Sequence, residues 1–273
     1  MKKIMKKVKK VTVVKTEAPT YPMRINKYLA LKKITTRRGA DELIEKKKVF
    51  INGKLAALGS KVLETDKVEV KEGKDKKVYV YYAYNKPIGT ITHSPQRDEI
   101  DIKQNLKNKE NTKKKVSTKT PATKTANSGM RDVFPIGRLD KDSHGLIILT
   151  NDGRITDQLL NPKYVHEKEY VVRTKEKLRN NFKEKMEIGV NIEGYITRPC
   201  QVTIVNDFTF KVILTEGKKH QIRRMCVALF QEVADLKRTR VMNIKLGPLK
   251  SNGLKEIKGE ELSIFLDQVL HQS

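Results

Sequence analysis

The clearest hydrophobic pattern in the chain is an apolar run at 146–150, which has the sequence LIILT and is bounded by turn residues. Such a run is typical of a buried strand. Directly before it, Arg138 and Asp140 stand on either side of Leu139, in a turn that opens at Gly137. The pattern therefore predicts charged side chains on a loop next to a core strand, which is a common position for binding and catalytic residues.

The N-terminal part of the chain predicts two short helices followed by short strands. Apolar positions at helical spacing predict a helix with a basic face in RINKYLALKKI at 24–34, and Thr35 or Thr36 can cap a second helix. Val49–Ile51 is predicted to be a strand, with Asn52-Gly53 as the hairpin turn after it. Small helices and strands with a basic face are the outline of an RNA-docking module.

The remainder of the chain predicts a second, β-rich domain of an α+β protein. Helical spacing of apolar residues predicts a helix from His220 and a last amphipathic helix at 255–270. Further sheet is predicted at 78–84, 166–172, 184–189, 201–205 and 208–214, together with a strand that begins at Val241.

Two lysine-rich segments contain too few apolar residues to fold. Residues 1–20 contain seven lysines and one acidic residue, and we expect them to form a basic disordered arm. Residues 103–128 contain eight lysines and one acidic residue, and we expect them to form a disordered insert. Each segment either attracts RNA phosphates or has no role.

The charge of the chain favours a polyanionic partner. Fifty-eight Lys and Arg residues face 32 Asp and Glu residues, for a net charge of +26, which is typical of a protein that binds nucleic acid. Cys200 and Cys226 are the only cysteines, so a disulfide framework or a zinc site is not expected, and a reduced, cytoplasmic location is favoured. No segment has the length of a membrane span, and we expect no membrane partner.

From the residues alone, several roles for Asp140 stay open. It can cap a turn, as loop aspartates commonly do. A calcium loop beginning at Asp140 is excluded because His144 and Asn151 occupy positions that need oxygen ligands and a glutamate. A pair formed with Asp142 would suit acid–base hydrolysis of a sugar bond.

Several motifs together resemble the pseudouridine synthases, and within them the branch that modifies ribosomal RNA and carries an N-terminal S4 domain, the RsuA family. Lys47 departs from the S4 pattern, which usually has a glycine there. The segment RTRVMNI at 238–244 is most similar to the F-type enzymes of the large subunit. The other matching segments are RINKYLA, TRRGADELI and VFING in the S4-like part, and NKPIG at 85–89, GRLDKDSHGLIILTNDG at 137–153, HEKEYVV at 166–172 and GKKHQIRRM at 217–225 in the second domain.

The resemblance implies an S4-like RNA-binding domain at 21–72 and a pseudouridine synthase domain at 78–273. The second domain would have a mixed, largely antiparallel central sheet flanked by helices. The implied reaction isomerises uridine in RNA to pseudouridine and uses neither a metal nor a cofactor.

The resemblance also implies the roles of individual residues. Asp140 would be the essential catalytic residue, and Arg223 would pair with it and keep it ionised. Tyr170 would stack against the target base, and Arg138 would hold a phosphate or fill the vacated stack. The expected RNA-binding residues are Arg24, Lys27, Arg37, Arg38, Lys86 and Arg224, with Lys86 also near the floor of the site.

The favoured substrate is large-subunit 23S ribosomal RNA, bound by a monomer. The same reaction on small-subunit ribosomal RNA or on a tRNA anticodon stem-loop remains an alternative. So does a catalytically silent S4-type factor that acts in ribosome assembly.

Overall fold

The computed structural model describes residues 19–71, 78–108 and 133–270, apart from Lys33, Ser94, Arg97 and Asp98. Most of the predicted basic arm and residues 109–128 of the predicted insert lie outside this part. The chain divides into two compact units, residues 1–74 and 75–273, and each is described by itself. No described helix is long and apolar enough to cross a membrane.

The N-terminal unit packs two short helices against short strands. Both predicted helices are confirmed, and Thr36 caps the second, because its Oγ1 accepts the Gly39 N–H at 2.9 Å. The core is formed by the apolar residues Ile25, Leu29, Ala40, Ile44, Val49, Ala56 and Val62. The elements are β1 (Met23–Arg24), α1 (Ile25–Leu31), α2 (Arg37–Glu45), β2 (Val49–Ile51), β3 (Lys54–Leu55), β4 (Lys61–Val62) and β5 (Val68–Val70).

Two turns of this unit show left-handed backbone. The predicted hairpin at Asn52-Gly53 joins β2 to β3, with φ values of 50° and 76°. Lys47 also has a positive φ, 55°, after the end of α2. Glycine adopts this conformation without steric cost, which explains why the S4 pattern has a glycine at this position.

The second unit is built on one large sheet. Its strand order is β12-β13-β9-β14-β8-β6-β16, with β7 beside β8 and β15 beside β14, and β14 with β8 is the parallel pair. The predicted mixed, largely antiparallel sheet flanked by helices is confirmed. The elements are β6 (Tyr81–Lys86), α3 (102–108), β7 (Phe134–Ile136), β8 (His144–Thr150), α4 (Ile155–Leu160), β9 (Lys168–Thr174), α5 (Phe182–Glu187), β10 (Asn191–Ile192), β11 (Tyr195–Ile196), β12 (Gln201–Asn206), β13 (Thr209–Leu214), α6 (Gln221–Ala228), β14 (Val233–Val241), β15 (Ile244–Lys245), β16 (Leu254–Glu256) and α7 (Gly259–Leu270).

Three predicted segments differ from the structure. The sheet predicted at 184–189 is wrong, because α5 buries Phe182 and Met186 one helical turn apart. The strand predicted to begin at Val241 is wrong as well, because β14 ends there. The insert predicted from 103 overlaps α3, whose Ile102 and Leu106 side chains are buried.

The two faces of the sheet are covered by different helices. We call the face that bears Tyr170 and Arg238, which are direct partners in β9 and β14, the front face. Helices α5 and α6 cover the front face over β9 and β13, and α3 covers it over β6 and β8. Helices α4 and α7 cover the opposite, back face over β6 and β8.

A glycine permits the parallel junction at the centre of the sheet. Gly145 pairs with Arg238, and a Cβ atom on Gly145 would lie 2.3 Å from the Arg238 carbonyl oxygen. The φ of Gly145 is also positive, at 104°. Any larger residue here would separate β8 from β14, and the loop that carries Asp140 ends at this junction.

Candidate active site

The loop at 137–143 joins β7 to β8 and presents the two charged residues predicted from the sequence. The Asp140 side chain is 37% exposed, and Arg138 is exposed beside it. Leu139, between them, is buried. The loop therefore anchors itself through the leucine and turns both charged groups toward solvent.

The backbone of this loop is held at every residue from 138 to 142. Each carbonyl oxygen in that stretch accepts a hydrogen bond, which holds the backbone from which the Asp140 side chain projects. The donors, in chain order, are Arg238 Nη1 (3.5 Å), Thr92 Oγ1 (2.7 Å), Ser143 N (3.1 Å), Gly89 N (2.9 Å) and Arg223 Nη2 (3.0 Å).

Lys86 lies beneath the loop and is fully buried, with 0% of its surface exposed. Its Nζ donates to the carbonyl oxygens of Thr90 at 2.8 Å, Pro87 at 3.0 Å and Lys141 at 3.5 Å. Burial lowers the pKa of Lys86 to about 8, although the nearby Asp140 carboxylate acts in the opposite direction. The structure contradicts the predicted contact of Lys86 with RNA and places it in the floor of the site.

The expected ion pair between Arg223 and Asp140 is absent from the structure, in which both side chains are described. Arg223 lies in α6 and donates instead to the Asp142 carbonyl oxygen at 3.0 Å and to Ser143 Oγ at 3.4 Å. The partner of the Asp140 carboxylate is His220, whose Nε2 lies 3.4 Å from Oδ1. Sequence reasoning missed this contact, although His220 stands directly before the QIRR motif.

Tyr170 lies on the front face of β9, packed beside the cluster that α5 and α6 cover, and remains partly exposed. Its cross-strand partner Arg238 is 4% exposed and donates from Nε to the Leu146 carbonyl oxygen at 2.6 Å. Lys168, two residues before Tyr170 on the same strand face, has a pKa of about 8, because burial and then the charge of Arg238 disfavour its protonated form. Both basic residues were missed as site residues.

The other predicted RNA-binding residues divide into two groups. Arg24, Lys27 and Arg37 are exposed on the N-terminal unit, where they can reach phosphates. The Arg38 side chain lies outside the described part. Arg224 is partly buried and donates to the Ile192 carbonyl oxygen at 3.0 Å and to the Glu193 carboxylate at 2.7 Å, so its contacts lie within the protein.

Among the residues with described positions, no group of three or more His, Cys, Asp or Glu side chains is placed to hold a metal ion. The chemical groups of the site are therefore a carboxylate on a fixed loop, an imidazole beside it, a tyrosine ring and two buried basic side chains, Lys86 and Arg238. This arrangement leaves the Asp140 carboxylate partly exposed above the buried Lys86.

The sequence was compared with protein families and with known proteins, and both domains find matches. Residues 80–228 match the family model described as RNA pseudouridylate synthase, and residues 23–68 match the S4 domain. The dual-specificity RNA pseudouridine synthase RluF of Salmonella typhi is 37% identical over 245 residues, which are 88% of this chain and 77% of that protein. The ribosomal large subunit pseudouridine synthase B of Bacillus subtilis is 30% identical over 252 residues, which are 88% of this chain and 93% of that protein.

A solved structure shares the fold. The crystal structure of a pseudouridylate synthase superimposes with a TM-score of 0.61 at 23% identity, and the match covers 88% of this chain and 98% of that one. The family resemblance predicted from the motifs is confirmed, as is the isomerase activity that it implied. The chain therefore belongs to the RNA pseudouridylate synthase family and carries an N-terminal S4 domain.

Proposed function

We propose that this pseudouridine synthase acts on large-subunit ribosomal RNA and that Asp140 is its essential catalytic residue. The observation that carries the proposal is the loop at 137–143, whose successive carbonyl oxygens are all held while the Asp140 carboxylate is left 37% exposed. A group that is fixed in direction and open to solvent is suited to act on a bound substrate. The name of the Bacillus subtilis relative, which specifies the ribosomal large subunit, supports the choice of RNA.

The reaction breaks the bond between C1' and the base nitrogen, turns the uracil, and joins C5 to C1'. The base must leave its stack to be turned, and enzymes that act on a base extrude it into a pocket. Tyr170 offers a partly exposed ring at the cleft, and stacking of a base on an aromatic ring contributes roughly 1–3 kcal/mol. Asp140 acts at the sugar or base, and the exposed Arg138 holds a phosphate or fills the vacated stack.

The residues around Asp140 act by positioning it. His220 contacts the carboxylate directly, while Arg223 and Lys86 hold the loop through carbonyl oxygens of Asp142 and Lys141. The isomerisation changes no oxidation state, and we propose that it proceeds with neither a metal nor a cofactor.

The N-terminal unit docks the RNA in this proposal. Arg24, Lys27 and Arg37 are exposed cations on and beside α1 and α2, and phosphate neutralisation supplies much of the affinity for RNA. We assign 1–20 to a basic arm, 21–72 to the S4 domain and 78–273 to the catalytic domain, and propose a cytoplasmic monomer.

A second RNA substrate is the main alternative, and it has a specific observation in its favour. The Salmonella typhi relative is named a dual-specificity enzyme. A tRNA anticodon stem-loop or small-subunit ribosomal RNA would be such a second substrate. A catalytically silent assembly factor is disfavoured because Asp140, Tyr170 and Arg223 are all present.

Pseudouridine mapping tests the proposal. Total RNA is modified with carbodiimide and reverse transcribed from cells that contain the wild type, the Asp140→Asn variant or no protein. We expect one stop in large-subunit ribosomal RNA that is present with the wild type alone. A stop that persists with Asp140→Asn would contradict the role of Asp140, and a stop found in another RNA would contradict the substrate.

A further inference from the structure

The catalytic sheet has an uncovered region on its back face. Helices α4 and α7 cover that face over β6 and β8, where their apolar side chains pack. Over β12, β13, β9 and β14 the back-face side chains reach solvent, since Thr203, Lys211 and Arg173 are exposed. Even Val171, in the middle of the sheet, is only partly buried.

The strand register places these side chains in one row. Thr203 pairs with Lys211, Lys211 with Val171, Val171 with Lys237, and Lys237 with His144. Directly paired residues point to the same face, so the row crosses five strands on the side opposite Tyr170. Neighbouring strands lie about 4.8 Å apart, so the two lysines stand about 10 Å apart, two strands from each other.

Three cations of this region are free to bind an anion. Arg173 follows Val171 by two residues and shares its face. Among the described residues, no acidic side chain lies within 4 Å of Arg173, Lys211 or Lys237. We call these three residues the back-face patch.

One acid, Asp235, is the direct cross-strand partner of Arg173 and stands in the same row as the patch. Asp235 contacts His144 at 3.0 Å, and Glu169 lies 3.7 Å from Arg240. The three basic residues of the patch therefore outnumber the one carboxylate in their rows.

We propose that the back-face patch binds the phosphate backbone of the substrate RNA, away from the catalytic cleft on the front face. We choose RNA as the ligand because the three basic side chains complement its negative charge, and because this protein must bind RNA to act on it. The rows that contain the patch and the row beside it include Thr203, Thr209, Ile213, Asp235 and Glu169, with no Phe or Tyr ring among their described residues. The lack of such a ring in these rows favours phosphate contact over base stacking. Which RNA is bound rests on the proposed function. The contact between the back-face patch and RNA phosphates does not.

The contact predicts a particular salt dependence of RNA binding. Each phosphate contact contributes roughly 0.7–0.9 to the slope of log K against log salt concentration. In the triple variant Arg173→Gln, Lys211→Gln, Lys237→Gln, we expect the magnitude of this slope to fall by about 2 to 3. Lys211→Gln alone should lower it by about 1, which keeps the test valid if the triple variant misfolds.

The matched control removes the same charge from another surface. Lys183, Lys185 and Lys250 are exposed and without ion-pair partners among the described residues, and all three are changed to Gln. Binding of a ribosomal RNA transcript is measured by filter retention at salt concentrations from about 50 to about 200 mM. Turnover of a short stem-loop is measured in parallel and should match that of the wild type.

The outcomes separate the patch from the enzyme's function. A slope that falls in the patch variants and not in the control supports the contact. An unchanged slope, or an equal fall in the control, overturns it. If the slope falls in the patch variants and not in the control, yet the wild type modifies no ribosomal RNA, the proposed function fails while the patch stands.

Discussion

The N-terminal unit and the floor of the catalytic site differ in how their basic residues are exposed. In the N-terminal unit, Arg24, Lys27 and Arg37 are exposed. In the catalytic unit, Lys86 and Arg238 are buried, with 0% and 4% of their surfaces exposed, and both donate hydrogen bonds to backbone carbonyl oxygens near the Asp140 loop. We therefore expect the exposed residues of the N-terminal unit to contact RNA and the two buried residues of the catalytic unit to shape the site.

Burying a cation is costly unless oxygen atoms surround it. Lys86 meets this condition with three carbonyl oxygens, one of which belongs to the loop that carries Asp140. The loop and the cation stabilise each other, so the exposed cations should control affinity and the buried ones should control turnover.

The largest effect should come from exchanging a buried lysine. In Lys86→Met the Thr90 carbonyl oxygen loses its donor and the Lys141 carbonyl oxygen keeps only the Gly89 N–H, so the Asp140 loop should shift. Because a misplacement of about 1 Å can cost about 100-fold in rate, we expect kcat to fall by about that factor with little change in the Kd for RNA. Single-turnover kinetics and filter binding measure the two quantities.

The matched exchange in the N-terminal unit is Lys27→Met. Loss of one exposed phosphate contact should weaken RNA binding about threefold at moderate salt and leave kcat unchanged. A fall in kcat for Lys27→Met, or a purely affinity effect for Lys86→Met, would break the distinction between the two units.

The pH dependence of stability tests Lys168, a partly buried lysine with a lowered pKa. The folded pKa of Lys168 is about 8, below the value of about 10.4 in an unfolded chain. Between these values the unfolded state holds one more proton, so the free energy of unfolding should rise with pH, by at most about 1.4 kcal/mol per pH unit. Below pH 8 this contribution is flat.

Urea unfolding of Lys168→Met should show a smaller rise from pH 8 to 10 than the wild type. Lys86 remains in both proteins and cancels in the comparison. Parallel curves for the two proteins would mean that Lys168 is solvated and protonated like an ordinary surface lysine.

A moderate effect is expected at His220. Its imidazole contacts the Asp140 carboxylate at 3.4 Å, but both side chains are partly exposed, so the pair should contribute no more than about 1 kcal/mol. His220→Gln should therefore lower kcat by about fivefold or less, measured under single-turnover conditions. A loss as large as that expected for Lys86→Met would make His220 part of the chemistry.

The smallest effect concerns the N-terminal unit alone. Lys47 has a φ of 55°, where a side chain costs about 1 kcal/mol more than glycine. Lys47→Gly should stabilise this unit by about 0.5–1 kcal/mol, since the exposed lysine makes no ion pair among the described residues. Thermal unfolding followed by circular dichroism measures it, and a lower Tm would contradict the assignment of strain.

The types and spacing of neighbouring residues correctly predicted the elements that are stabilised by contacts between neighbouring residues. The cap at Thr36, the hairpin at Asn52-Gly53 and the buried strand β8 follow from residue type and spacing, and all three are present. Strand β14 was misplaced because Lys237, Arg238 and Arg240 interrupt its apolar pattern. Helix α5 was missed because only two of its residues, Phe182 and Met186, face the core.

The site was predictable in its motifs but not in its contacts. Asp140 and Tyr170 were identified by family resemblance, and their roles stay predictions. The contact of His220 with Asp140 joins residues 80 positions apart, and the burial of Lys86 depends on the return of the chain at Lys141. Contacts between residues so far apart in the sequence cannot be predicted from the spacing of residues.

The central claim is that Asp140, held by its loop, performs the isomerisation. The most direct measurement is single-turnover formation of pseudouridine in ribosomal RNA by Asp140→Asn, compared with Asp142→Asn, which alters an exposed carboxylate two residues away on the same loop. We expect no detectable pseudouridine with Asp140→Asn, near wild-type rates with Asp142→Asn, and unchanged RNA binding with both. Turnover by Asp140→Asn, or equal loss in the two variants, would contradict the account.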